Sequence, residues 1–429
     1  MVGESRKWSA WAIPDFRRLL LGQATSSLGT QMQQVALAWQ LWSLTHDPLL
    51  MGAMGLAKAL PILVLAPVGG VLADSRDRRK LMLATQGTMA AVAVAFLLLT
   101  LANRLETPIL LGLVALHAAA VACDNPARGA LVPALVPADR LAHALSLSVS
   151  GWQLAAVAGP MIGGLLLAGG SGAAMIHALD SASYLAVLGA LARLPAIRPE
   201  VSTEGPFQSG LGAWLEGWRF MMADRMLWTT MIIDFASTFL GASTMLMPAI
   251  AEQVHHGGAR EVGLLMAAQP LGASLAAVLL STMPPIRREG PIFLGMIAVY
   301  GGAWLCFGQM TALVPALACL VVAGGADSIS TVIRAHLRQA RTPDALRGRV
   351  TSIGMMFYIG GPQLGEAEAG AVARWLGPAQ AVSLGGAAIL MLAALAAATT
   401  PELRRYAAQR ADIRTAPGAS SATPEGRKA

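Results

Sequence analysis

The chain has 429 residues, of which 55% are apolar and 13% are charged. Ordinary soluble domains are about 25% charged. Together with a mean hydropathy of +0.57, this composition excludes an ordinary soluble enzyme or binding domain and indicates a membrane protein. The net charge of +7 does not indicate nucleic-acid binding, because the basic residues are scattered over many loops and form no single patch. The three cysteines form no CxxC pair, which argues against disulfides or a zinc site.

Twelve apolar stretches are long enough to cross a bilayer as helices, since a span needs about 20 mainly apolar residues. They form two sets of six, within residues 18–195 and 227–400. The predicted spans of the first set are 18–44, 48–73, 81–103, 107–133, 141–169 and 172–195. The predicted spans of the second set are 227–251, 261–283, 290–309, 311–335, 347–375 and 378–399.

Three polar segments lie outside the two sets of spans. Residues 1–17 are expected to form a cytoplasmic and interfacial N-terminus, because Trp8 and Trp11 lie beside basic residues. Residues 196–226 form a cytoplasmic linker, in which apolar residues at helical spacing predict an amphipathic helix. These apolar residues are Leu211, Trp214, Leu215 and Trp218. Residues 401–429 are rich in Ala, Pro, Arg and Ser, which predicts a disordered cytoplasmic tail.

The distribution of Lys and Arg predicts the orientation of the chain. Cytoplasmic loops of membrane proteins carry an excess of these residues. With the N-terminus inside, only Arg104, Arg260 and Arg374 fall in outer loops, out of 31 Lys and Arg residues. We therefore expect both termini to be cytoplasmic.

The two sets of spans repeat each other in sequence. Paired arginines occur at 78–79 and 287–288, in equivalent loops, and a proline precedes both the fifth and the eleventh span. Each of these two spans also carries a glycine–proline run, which favours close helix approach and local bending. The runs consist of Gly159, Pro160, Gly163 and Gly164, and of Gly361, Pro362 and Gly365. The repeats indicate a duplicated six-span unit.

The loop at 70–80 carries the most specific motif of the chain. It reads Gly-Val-Leu-Ala-Asp-Ser-Arg-Asp-Arg-Arg-Lys and resembles the signature G-x-L-a-D-r-x-G-r-k of the major facilitator superfamily. Asp77 stands in place of the usual glycine and Ser75 in place of the first basic residue. The Asp-Arg-Arg variant, with the segments 15–18 and 124–128, is similar to the branch that includes enterobactin exporters and macrolide efflux proteins.

This resemblance implies a secondary transporter of two six-helix bundles that works by alternating access in the inner membrane of a bacterium. It implies a small hydrophobic substrate (a drug, macrolide or siderophore-like compound), exchange against protons, a monomer and no cofactor. The glycine–proline run of span five resembles the motif of exporters in the superfamily and favours export. An importer or lysophospholipid flippase on the same fold, and a non-transporting sensor or scaffold, stay open as alternatives.

Other classes of protein lack support in the sequence. No GxxxxGK[ST] motif indicates an ATP-driven pump, and no HExxH or GxSxG motif indicates an enzyme. The sequence also offers no set of ligands that predicts a metal site beyond a weak pair of adjacent histidines.

Three charged residues near the predicted inner face form a candidate conformational latch. Asp74 lies where span two leaves the bilayer, and Arg78 follows four residues later. In the resembled fold span two packs against span eleven, so Asp74 would interact with the positive end of that helix. We expect Arg78 to bridge Asp74 and Asp124 when the inner face is closed. The alternative is that these residues are ordinary loop charges.

A second candidate gate lies toward the predicted outer face. Lys58 and Glu366 are each about nine residues from the outer ends of spans two and eleven, which places both roughly 13 Å deep. Opposite charges at one depth on neighbouring helices predict an ion pair, of Lys58 with Glu366 or with Glu368, when the outer side is closed. The alternative is that Lys58 extends to the surface and the glutamates line a wet vestibule.

Two carboxylates in the second half are candidates for proton or substrate binding. Asp234 lies near the middle of span seven and Asp327 in span ten, and the resemblance implies that spans one, four, seven and ten line the cavity. Charges within spans persist mainly when they are paired or face water. Asp180 in span six is expected to be structural.

Span one carries a polar stripe at helical spacing. So wide a polar face on a membrane helix implies water or substrate beside it. We expect this stripe to form part of the binding surface. Its residues are Gln23, Ser27, Thr30 and Gln34.

Overall fold

The computed structural model of the chain describes residues 10–170, 172–195, 211–241, 243–284, 286–343 and 346–406. All secondary structure in these ranges is helical, with twelve long helices, α1 to α12. The first six are Pro14–Thr45, Pro48–Ser75, Arg78–Leu101, Thr107–Leu135, Ala138–Ala168 and Gly172–Arg193. The second six are Arg225–Gln253, Ala259–Thr282, Glu289–Phe307, Leu313–Arg341, Arg347–Leu376 and Pro378–Thr399.

Each long helix overlaps one of the twelve predicted spans. Within the described ranges, ten of them are long and apolar enough to cross a membrane. The other two, α1 and α11, are 32 and 30 residues long but carry the polar and charged residues discussed below. The helix α7 is interrupted after Leu240, with a short 3-10 turn at Thr244–Leu246 before it continues from Met247.

Acidic residues begin several helices directly after very short loops. The side chain of Asp47 accepts a hydrogen bond from the Leu49 amide at the start of α2. The side chain of Asp77 caps α3 in the same way through the Arg79 amide. Such caps satisfy amides that the first turn of a helix leaves without a partner. The aspartate that departs from the superfamily signature at position 77 therefore caps the next helix.

The helices pack into two bundles, α1–α6 and α7–α12, that meet along two seams. One seam joins α2 to α11 and the other joins α5 to α8. The glycine–proline runs lie on α5 and α11, and each seam joins one of these two helices to a helix of the other bundle. The two bundles therefore touch each other through equivalent helices of the repeated unit.

The seams are tight at the end of the molecule that carries the α1–α2 loop, which we call the α1–α2 end. A Cβ atom added to Gly370 of α11 would lie 2.6 Å from the Cα of Gly52 on α2. A Cβ added to Gly164 of α5 would lie 2.8 Å from the Cα of Gly263 on α8. These distances are shorter than real Cβ contacts allow, so the backbones touch without side chains between them. The α1–α2 end is closed.

The opposite end carries the α2–α3 loop, and we call it the α2–α3 end. The space between the bundles reaches residues in the half of the helices nearest this end, including Gln23 of α1, Gln86 of α3 and Arg128 of α4. Among the described glycines, those whose added Cβ would meet the backbone of the other bundle lie in the opposite half of these helices. The space between the bundles therefore opens toward the α2–α3 end.

The linker between the two sets of spans contains a short helix outside the bundles. The predicted linker helix spans Leu211–Ala223, and Trp218 stacks on Phe357 of α11 with ring centroids 6.1 Å apart. This helix therefore packs against the second bundle. The side chain of Trp214, one of the predicted apolar residues, lies outside the described residues.

The tail that was predicted to be disordered from residue 401 begins with an ordered helix. Pro401–Arg405 is helical, and Leu403 is buried. The amide of Gly290, in the first turn of α9, donates a hydrogen bond to the carbonyl of Tyr406. The prediction of disorder was wrong for residues 401–405, because the buried side chain of Leu403 and the hydrogen bond between Gly290 and Tyr406 hold the start of this polar segment in place. Residues 407–429 lie outside the described residues.

Candidate functional site

A central cavity of about 520 Å³ lies between the two bundles. The predicted polar stripe of α1 lines it, with all four of its residues, Gln23, Ser27, Thr30 and Gln34. Three aromatic side chains of the first bundle, Phe96, Trp152 and Tyr184, also lie in its wall. The cavity thus offers many hydrogen-bonding groups together with aromatic surfaces.

A second cavity of about 300 Å³ extends into the second bundle. It shares four wall residues with the first cavity, namely Thr244, Pro362, Gln363 and Glu366. Its remaining wall includes Asp327, Tyr300 and Tyr358. The two cavities adjoin at the broken part of α7 and the middle of α11.

Asp124 of the first bundle is completely enclosed by hydrogen-bond donors. It is 1% exposed, and one carboxylate oxygen lies 2.7 Å from the Nη2 of Arg128, one turn further along α4. On α3, the hydroxyl of Thr85 donates to Asp124 at 2.8 Å and the amide of Gln86 at 3.1 Å. These partners supply the counter-charge and hydrogen bonds that a buried carboxylate requires.

Two residues of the predicted latch, Arg78 and Asp124, do not contact each other in this state, in which the α2–α3 end is open. Arg78 donates to the backbone carbonyls of Ala73 and Ala130, both at 3.4 Å, while Asp124 is held by Arg128. The side chain of Asp74 lies outside the described residues. Because the latch was expected in the opposite state, it stays a prediction.

A chain of hydrogen bonds connects α1, α4 and α6 along the cavity wall. The hydroxyl of Thr30 lies 3.4 Å from the carboxylate of Asp180 and 3.3 Å from the hydroxyl of Tyr184. The same Tyr184 hydroxyl lies 3.2 Å from the Nε2 of His117. Asp180 is fully buried and holds α6 against α1, as a structural residue does.

The second bundle contains a buried ion pair between α7 and α10. Asp234 is paired with Arg334, and the guanidinium of Arg334 also lies 4.0 Å from the carboxylate of Asp327. Of the three, Asp327 lies in a cavity wall. The arginine thus bridges the two carboxylates that the sequence proposed as proton or substrate groups.

Sequence reasoning missed Arg334. The tenth span was predicted to end at 335, which placed this arginine at the membrane surface, whereas α10 continues to Arg341. Asp327, Ser330 and Arg334 follow each other at intervals of three and four residues, which places them on one face of a helix. This spacing could have indicated that Arg334 lies beside Asp327.

The Lys58 and Glu366 side chains face the same cavity. The ion pair between them was predicted for the state with a closed outer side, and it is absent here although the α1–α2 end is closed. Among the described residues no carboxylate oxygen lies within 4.0 Å of the Lys58 ammonium. The carboxylate of Glu366 instead packs on Gly55 of α2, where an added Cβ would lie 3.1 Å from its Oε2. Glu368 lies two positions further along α11 and does not contribute to the described cavity walls.

The closed end is bridged by other charged groups. Arg374 of α11 donates to Asp47 in the α1–α2 loop at 2.8 Å. The indole N–H of Trp42 donates to the carboxylate of Glu252 in α7, and the ring of His46 lies 3.8 Å from the same carboxylate. These contacts join the first bundle to the second across the mouth of the cavity. No local sequence pattern indicated them, because they connect residues far apart along the chain.

The glycine–proline runs bring helices together within each bundle as well as between them. Pro362 lies in the walls of both cavities, and the carbonyl of Pro160 faces Gly263 of α8. The glycines of these runs lie where an added Cβ would meet a neighbouring helix: Gly159 and Gly163 against α1, and Gly361 and Gly365 against α7.

Comparison with known proteins agrees with this geometry. The family model described as transmembrane secretion effector (MFS_3) matches residues 5–420. Proteins named enterobactin exporter EntS, from Shigella boydii serotype 4 (strain Sb227) and Escherichia coli O1:K1 / APEC, are each 30% identical over 399 residues. The matches cover 92% of this chain and 93% of each relative.

Solved structures show the same fold. A bacterial homologue of the iron transporter ferroportin in an inward-facing state matches with a TM-score of 0.67 and 17% identity, over 91% of this chain and 99% of that one. A bacterial homologue of the human lysosomal transporter Spinster, inward-facing and unoccupied, matches with a TM-score of 0.64 and 16% identity, over 91% and 97%. In the described residues, twelve long helices form two bundles around a shared cavity, and the family model and the relatives match nearly the whole chain. This protein therefore belongs to the transmembrane secretion effector family of the major facilitator superfamily and is a multi-pass secondary transporter.

Proposed function

We propose that this transporter exports a small siderophore-like compound from the cytoplasm by alternating access, in exchange for protons. The observation that carries the proposal is a cavity walled by both bundles, closed at the α1–α2 end, in a chain 30% identical to enterobactin exporters. A volume of about 520 Å³ lies within the range of sites that enclose small organic molecules.

The direction of export depends on which end faces the cytoplasm. Among the basic residues only Arg104, Arg260 and Arg374 belong to the α1–α2 end by the predicted topology, and the others crowd toward the opposite end or the termini. The positive-inside rule therefore supports a cytoplasmic α2–α3 end and cytoplasmic termini. In this orientation the structure corresponds to the state that takes up substrate from inside.

The proposed proton carriers are Glu366 and Asp327, because both carboxyl groups lie in the cavity walls. A carboxyl group that meets water from one side in one state and from the other side in the next can carry a proton across. Asp234 holds Arg334 beside Asp327, so a change of charge at Asp327 would alter this bridge between α7 and α10.

The latch completes the proposed cycle. When the α1–α2 end opens, the contacts of Asp47 with Arg374 and of Trp42 with Glu252 must break. We propose that the Asp74 latch then closes the α2–α3 end.

Export is tested in an enterobactin-producing host from which its own exporter has been deleted. Expression of this chain is expected to raise enterobactin in the medium and lower it in the cells, relative to the empty vector. The variant Arg104→Gln, in an exposed loop, serves as the control that should match the unmodified chain. A protonophore added during the assay should abolish the difference.

Three outcomes separate the alternatives. An unchanged distribution of enterobactin would contradict this substrate class, and accumulation inside the cells would indicate an importer. Export that persists after the protonophore would contradict proton exchange. The variants Asp327→Asn and Glu366→Gln, assayed in parallel, are expected to reduce protonophore-sensitive export.

A further inference from the structure

Lys58 occupies an unusual position in the central cavity. It lies on α2 in the cavity wall, which also contains Glu366 of α11 and His117 of α4. No carboxylate oxygen of the described residues lies within 4.0 Å of its ammonium group. Arg128, another cation of this wall, is already paired with Asp124. Lys58 is therefore a cavity cation with room for an anionic partner.

Glu366 offers a complementary group on the facing helix. Its side chain is 6% exposed, and it lies in the walls of both cavities. Within the described structure its Oε2 has no hydrogen-bond partner. Buried polar atoms of proteins are nearly always hydrogen-bonded. This oxygen is therefore available to accept a hydrogen bond from a bound molecule.

The surrounding wall indicates the shape of that molecule. Phe96, Trp152 and Tyr184 line the same cavity, and aromatic side chains bind flat rings by offset or edge contacts. A cation and a buried acceptor on opposite bundles, more than 4.0 Å apart, can both be contacted by one ligand that carries two polar groups on an aromatic ring.

We infer that Lys58 and Glu366 form a two-point subsite for a hydroxylated aromatic acid. The acid oxygen binds the Lys58 ammonium, and a ring hydroxyl donates to Glu366. The inference rests on the proposed function, because it names the substrate class of the same cavity. Each contact is a charge-assisted hydrogen bond, the stronger kind in proteins. Because the two groups belong to different bundles, such a ligand contacts both halves of the transporter at once.

Three probe compounds separate the two contacts. They are 3-hydroxybenzoate, its methyl ester, which lacks the anion, and 3-methoxybenzoate, which lacks the hydroxyl donor. Isothermal titration calorimetry of the purified full chain in detergent, at pH 7, measures their affinities. The unmodified chain is expected to bind 3-hydroxybenzoate about tenfold more tightly than either analogue, as expected for one charged hydrogen bond.

Two variants should remove the preferences separately. Lys58→Gln is expected to abolish the preference for the acid over its ester, and to keep the preference for the hydroxyl over the methoxy group. Glu366→Gln is expected to abolish the preference for the hydroxyl over the methoxy group, and to keep the preference for the acid over its ester. Lys58→Arg should retain the preference for the acid. The control variants Arg104→Gln and Glu106→Gln remove exposed charges from the α3–α4 loop and should change neither preference.

The result that would overturn the inference is equal affinity of the unmodified chain for acid and ester, or a preference for the acid that survives in Lys58→Gln. The comparison of the three probes on the unmodified chain tests the inference even if a variant fails to fold. Binding to the purified protein in detergent is measured without transport across a membrane. The result of the binding experiment is therefore independent of whether the protein exports its substrate. Export without a preference for the acid would refute only this inference, whereas a preference without export would refute only the proposed function.

Discussion

The closed α1–α2 end depends on glycine at the seam between α2 and α11, and substitution of Gly370 by alanine tests this directly. The added methyl carbon would lie 2.6 Å from both the Cα of Gly52 and the carbonyl oxygen of Pro48. Both neighbours are backbone atoms of α2, so no side chain can rotate away. The helices must separate at this end to admit the methyl group.

The size of the effect follows from this distance. Carbon atoms in favourable contact lie about 3.5–4.0 Å apart, so α2 and α11 must separate by roughly 1 Å. Inserting a methyl group into a tight contact typically costs about 1–3 kcal/mol. That cost applies only when the α1–α2 end is closed. Since 1.4 kcal/mol is tenfold, Gly370→Ala should shift the ratio of the two states about five- to 150-fold toward the form open at this end.

Distances between spin labels measure the shift. Labels at Ala102 and Ala312 lie on exposed loops at the α1–α2 end, one on each bundle, in a variant without Cys123, Cys306 and Cys319. We expect double electron–electron resonance to show a longer-distance population in Gly370→Ala. The matched control is Gly112→Ala, because a Cβ there meets nothing within 4 Å. An unchanged distance distribution in Gly370→Ala would refute the account of closure.

Three further predictions concern charged groups. Arg334→Gln leaves Asp234 buried without its cation, which should destabilise the protein by about 3–5 kcal/mol. In thermal unfolding, the double variant with Asp234→Asn should recover part of this lost stability. A double variant that loses the sum of the two single losses would contradict the pairing. Asp47→Arg or Arg374→Asp alone should reduce the closed population, by about fivefold at most, because this partly exposed ion pair is lost. The two substitutions together should restore the closed population. The spin labels at Ala102 and Ala312 measure both effects, and a double variant that does not recover would exclude the contact. Asp74→Asn should slow export by weakening closure of the α2–α3 end, and a full export rate with unchanged accessibility there would exclude the latch.

The helices were predictable because hydropathy and length act locally. A bilayer requires long apolar stretches wherever the chain crosses it, and every long helix overlaps a predicted span. The polar stripe on α1 was predictable for the same reason, since helical spacing alone places Gln23 and Gln34 on one face. That face lines the cavity.

The partners of charged residues were less predictable. Equal depth suggested an ion pair between Lys58 and Glu366. Both residues lie in the wall of one cavity, but the pair is not formed, because depth does not fix the direction of a side chain. Asp124 was assigned to Arg78 by resemblance, whereas the i,i+4 spacing to Arg128 on the same helix gave a local signal that the structure follows in this state. The bridge of Asp47 with Arg374 depends on how the two bundles meet, and no local pattern contains that information.

The most direct test of the account is the accessibility of the central cavity from each side of the membrane. A cysteine at Ser27, in the cavity wall, is introduced into the chain without its native cysteines. A membrane-impermeant maleimide is then applied to membrane vesicles of either orientation. The account predicts modification from both sides, with Gly370→Ala raising the rate from the α1–α2 side and lowering it from the α2–α3 side. Modification from one side alone, unchanged by Gly370→Ala, would contradict alternating access.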